Sequence, residues 1–166
     1  MERMPALAPE AMSGEQRAAL AELVAGPRGA AVGPFAAAPL RNPALMTLLQ
    51  RAGAYLRFDS PLAGPLSELA VLLVARQWDR RAEWAIHQPL ARASGVAADV
   101  VEAVGAGRRP ASLPADVAAV GDFTHEITVR RSVSDATYHR AVAELGRPGS
   151  STCWASSAIT RRWRWS

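Results

Sequence analysis

A chain of 166 residues, 49% hydrophobic, suits one globular domain, and its wealth of Ala, Leu and Val without alternating-polarity segments predicts an all-α fold. The formal charge is +4 and the pI near 10.5, yet residues 147–166 hold four arginines (Arg147, Arg161, Arg162, Arg164) and no acid, so residues 1–146 are neutral. That excludes a body built for nucleic acid or an anionic surface, and no apolar run approaches the roughly 18 residues of a membrane span.

The start "MERMPALAPEAM" has no basic segment followed by a long apolar one, so no secretory signal is read and a cytoplasmic location is expected. Ser13 with Gln16 resembles a capping box, and Leu20, Leu23 and Val24 follow at helical spacing, giving a first helix of roughly 13 residues that stops at Gly26 and Pro27. The Gly/Pro-rich stretch "GPRGAAVGPFAAAPLR" is expected to cross the surface or line a cleft. Asn42 as N-cap and Pro43 at the first helical position open a second helix that carries Leu45, Leu48, Leu49 and Tyr55.

After Ser60 and Pro61 a third helix runs through Leu66 to Trp78, and a fourth from Arg81 to Ala93 ends at Gly95, a residue suited to a left-handed cap. Segments near 97–105, 115–130 and 134–145 complete the body, with "GRRPASLP" as a turn and Ser132 or Ser134 as an N-cap.

The last twenty residues, "RPGSSTCWASSAITRRWRWS", break from this pattern: they hold the single cysteine, Cys153, and three of five tryptophans, Trp154, Trp163 and Trp165. One reading is an Arg/Trp segment for a membrane interface or for stacking on bases. The favoured reading is a shifted frame: joining each codon's last base to the next two turns Gly149–Ser166 into "VVDLLGIIGYYTAVALV", an apolar helix. Residues 1–146 then form the domain, the C-terminal helix is missing, 147–166 is a disordered or frame-shifted tail, and the body exposes an apolar patch.

The chemistry concentrates in "ELAVLLVARQWDRRAEWAIHQPLARASG". Glu68 lies among Leu66, Leu69, Val71, Leu72, Leu73 and Val74, where an ionised acid needs a partner. Glu83 and His87 are four apart and share a helix face, with Arg80 one turn earlier and Trp84 beside them. A carboxylate next to an imidazole holds its tautomer and raises its basicity, so this set suits proton transfer on an anionic substrate, with His87 as acid/base and an arginine on the carboxylate. The alternative is a satisfied core or interface His87 and a surface Glu83–Arg80 pair. His125 is a further candidate to approach the site, Trp78 or Trp84 to wall it, and each is equally a packing residue. His139 is expected to face solvent. No metal site is expected, because one His and two Glu lack a second imidazole or thiolate at ligand spacing, and "GPRGAAVGP" is no phosphate loop.

Residues 34–96, "GPFAAAPLRNPALMTLLQRAGAYLRFDSPLAGPLSELAVLLVARQWDRRAEWAIHQPLARASGV", resemble the carboxymuconolactone decarboxylase family, related to alkylhydroperoxidase-D-like proteins; the likeness spans roughly residues 5–146. The family's peroxidase branch has Glu, then Cys-x-x-Cys, then His. Glu68 to His87 matches that spacing, but Arg80 and Glu83 stand where the cysteines would be, so thiol peroxidase chemistry is not expected. "EWAIHQPLA" is similar to the cysteine-free, decarboxylase-type members. The resemblance implies an alkylhydroperoxidase-D-like domain of six to seven helices and cofactor-independent decarboxylation of a lactone in aromatic catabolism. It implies proton delivery by His87, orientation by Glu68 and Glu83, and anion contacts by Arg80 or Arg76. It also implies a small carboxylated substrate and a homo-oligomer, trimer-based or hexameric. The competing expectation is a non-catalytic helical oligomer on the same fold.

Overall fold

Ser13 starts the first helix as a full capping box: its hydroxyl accepts from Gln16 N at 3.2 Å, and Gln16 Oε1 accepts from Ser13 N at 2.8 Å. This computed structural model describes residues 4–29, 37–62, 64–110 and 112–162. Among them are seven α-helices and no strand. The all-α fold of six to seven helices is therefore as expected from the sequence. The middle of the Gly/Pro-rich loop, 30–36, lies outside the described residues.

The chain divides into two compact units, Met1–Phe58 with Trp165–Ser166, and Asp59–Arg164. In the first, α1 (Gly14–Ala25) packs on α2 (Pro43–Ala54). Asn42 Oδ1 caps α2 by accepting from Leu45 N at 3.0 Å. Glu22 of α1 accepts two bonds from the Arg51 guanidinium, at 2.7 and 2.9 Å, and one from Gln50 Nε2 at 3.0 Å. Leu23, Leu40 and Met46 are fully buried.

The second unit is organised around α3 (Gly64–Gln77), which touches α4 (Arg81–Ser94), α5 (Ala98–Gly105), α6 (Ala115–His125) and α7 (Asp135–Arg162). A helix surrounded on several sides must be apolar around most of its circumference, and α3 buries Leu66, Leu69, Ala70, Leu72, Val74 and Ala75. Asp79 reverses the chain after α3 with φ 47°, and Gly95 ends α4 in the left-handed region at φ 106°. The segment expected as one helix over 115–130 is α6 followed by a π-helical turn, Glu126–Arg130. Ser134 caps α7, its hydroxyl accepting from Thr137 N at 3.3 Å.

The tail corrects the sequence-based expectation. α7 breaks at Gly146 (φ 69°, ψ 170°) and resumes as helix through Arg162, so 147–162 is neither disordered nor a lost helix. Ser150, Thr152, Cys153, Ser156 and Ser157 are all buried. Three of the hydroxyls donate to the carbonyl one turn back: Ser150 to Gly146 at 2.7 Å, Thr152 to Pro148 at 2.9 Å and Ser157 to Cys153 at 2.9 Å. A hydroxyl that closes onto its own helix presents a small, nearly apolar face, which is how so polar a segment enters a core. Cys153 acts there as a small hydrophobe beside Val120 and Phe123 in the same cluster.

Candidate functional site

Glu68 is held on the buried side of α3 with its carboxylate toward α4, and this inward position is what demands a polar partner. His87 supplies it: Nδ1 lies 2.7 Å from Glu68 Oε2. On the other side of the same ring, Nε2 lies 3.5 Å from Glu83 Oε2, the i,i+4 neighbour. The three side chains are 13%, 6% and 17% exposed for His87, Glu68 and Glu83. The sequence-predicted trio is thus brought together, with the imidazole between two carboxylates.

Burial is the largest influence on His87 and favours its neutral form. The hydrogen bonds to Glu68 and then Glu83, with their charges, outweigh it, so the pKa is raised above 6.5. A ring whose Nδ1–H is donated to Glu68 exchanges its proton at Nε2, and the Glu83 carboxylate steadies the imidazolium.

The arginine and tryptophan candidates form a group of their own, around a pocket that none of Glu68, Glu83 and His87 lines. Arg76, Arg80 and Trp84 line one pocket of about 290 Å³ with Asp79, Arg81 and Gly105. Arg76 also donates from Nε to the Gly105 carbonyl at 2.9 Å, an arginine on the end of α5. Trp84 fills the space above Gly105, where a Cβ would stand 3.1 Å from the indole. Trp84 is thus both a wall and a packing residue.

A larger cavity, of about 350 Å³, lies between α3, α5 and α6. Arg76 lines it, and so does His125, which therefore belongs here and not with Glu68, Glu83 and His87, none of which lines it. Sequence reasoning passed over Gly121 and the Arg108–Arg109 pair that line this cavity. The signal was present in "GRRPASLP", two arginines read as a turn. His139 is exposed beside Tyr138, with ring centroids 5.9 Å apart, as expected for a solvent-facing residue. Among the described residues no three His, Cys, Asp or Glu are placed to hold a metal ion, and no helix is long and apolar enough to cross a membrane.

The chain matches no protein-family model, and neither a curated protein nor a solved structure is significantly similar to it.

Proposed function

We propose that this protein is a cofactor-independent carboxy-lyase for a small carboxylated lactone such as 4-carboxymuconolactone, with His87 moving the proton. The observation that carries this reading is the buried imidazole between Glu68 and Glu83, at 2.7 and 3.5 Å. The resemblance of the Glu68–His87 segment to decarboxylase-type sequences supplies the substrate class.

In such a reaction the bond to the carboxylate carbon breaks, CO2 leaves, and the electron pair stays on the lactone as an extended enolate. Glu68 fixes the ring through Nδ1, and the imidazolium delivers its Nε2 proton to the enolate carbon. Glu83 holds the ring charged until transfer. Arg80 and Arg76, gathered with Trp84 at the pocket beside Gly105, are the anion contacts. Self-association into a trimer or hexamer is part of the proposal, supported by Ile86, 43% exposed on α4 beside the site.

Decarboxylation of 4-carboxymuconolactone followed by ultraviolet absorbance tests it, with wild type beside His87→Gln. Turnover should fall by roughly 10²–10⁴-fold in the variant while its circular dichroism is kept. Equal turnover would sink the proton-transfer role.

A second reading rests on the same burial: with both ring nitrogens engaged, His87 is a structural tie between α3 and α4 of a non-catalytic helical protein. It predicts no turnover in wild type and a loss of stability in the variant.

A further inference from the structure

We propose that the 350 Å³ cavity between α3, α5 and α6 is a binding site for a small organic monoanion with an apolar body; none of Glu68, Glu83 and His87 lines it, and it shares only Arg76 with the proposed lyase site. Its floor is hydrocarbon, from Leu69, Leu73, Val100, Val104, Leu113 and Val117. Its volume falls in the range of small-molecule pockets and, at about 30 Å³ per water-sized group, holds roughly ten heavy atoms.

The charge at the rim is one-sided. Asp122 is the only acid among the lining residues, and it is taken up by the Arg109 guanidinium and by Arg140 Nη2 at 3.4 Å. Arg108 is exposed and has no acidic partner among the described residues, and Arg76 spends its Nε on a neutral carbonyl. Two cationic side chains beside an apolar floor therefore favour a carboxylate or sulfonate over a neutral or cationic guest.

Gly121 is the independent observation. It sits inside α6, where glycine is among the poorest residues, and lines the cavity. A Cβ there would meet nothing within 4 Å, so no neighbour requires the missing side chain. The space beside it, where it lines the cavity, is left unfilled.

Calorimetric titration of the full chain with octanoate tests this, with octan-1-ol as the uncharged comparison. One site should saturate, with octan-1-ol at least tenfold weaker. Arg108→Glu, an exposed change that does not threaten the fold, should weaken octanoate at least tenfold. Gly121→Leu should abolish binding while the thermal midpoint is kept or raised. His87→Gln should bind octanoate as wild type does, which separates this site from the proposed lyase chemistry. Absent binding, equal affinity for the alcohol, or undiminished binding in Arg108→Glu would each overturn the proposal.

Discussion

His87 Nδ1 and Glu68 Oε2 stand 2.7 Å apart although they are nineteen positions apart in the chain, and this contact joins α3 to α4. A tie of that kind is costly to break from one side only, because the remaining group stays in a low-dielectric place.

Glu68→Ala should therefore destabilise the protein by roughly 3 kcal/mol, the lower end for breaking a buried pair, while Glu68→Gln, which keeps a hydrogen-bond acceptor, should cost about 1 kcal/mol. Urea unfolding followed by helical ellipticity measures both, and equal losses would show that the neutral acceptor contributes nothing and that the charge carries the tie.

The pH dependence has a defined sign. With the folded pKa of His87 raised above 6.5, the contribution of its protonated form is fully present below 6.5 and is lost as pH rises through the folded value. The stability gap between wild type and His87→Gln should then be larger at about pH 6 than at about pH 9. A gap that widens toward alkaline pH would mean that the ring is neutral in the folded state.

Cys153 is fully buried, and burial pushes its thiol up to about 11, against a weaker opposing contact with the Thr124 hydroxyl. Ellman's reagent at pH 8 should label it slowly in the native chain and at the ordinary thiol rate in 6 M guanidinium. Rapid native labelling would show that the tail helix opens readily.

Gly95 caps α4 at φ 106°, a conformation that L side chains rarely adopt. Gly95→Ala should cost about 1–2 kcal/mol although the substitution adds a single methyl group. Thermal unfolding at pH 7 reads the shift, and an unchanged midpoint would place that strain elsewhere.

The helix ends and one side of the site were legible in the sequence because short-range chemistry sets them. Ser13 with Gln16, Asn42 with Pro43, and Gly95 each act on backbone within a turn or so, and Glu83 and His87 share a face by the helix repeat alone. The need of Glu68 for a partner was equally plain from its apolar neighbours.

Tertiary structure decided what depends on segments far apart in the chain. Only the packing of α4 on α3 brings the His87 ring to Glu68, and only the space left between α3, α5 and α6 gathers Arg76, Arg108, Gly121 and His125 around one cavity. The tail is the clearest case: its composition signals a misfit, yet Ser150, Thr152 and Ser157 satisfy their hydroxyls on their own helix, so Cys153 can enter the core. Composition counts polar groups, whereas burial depends on how many of them find a partner, and among the buried hydroxyls of this segment Ser156 Oγ is the exception that finds none.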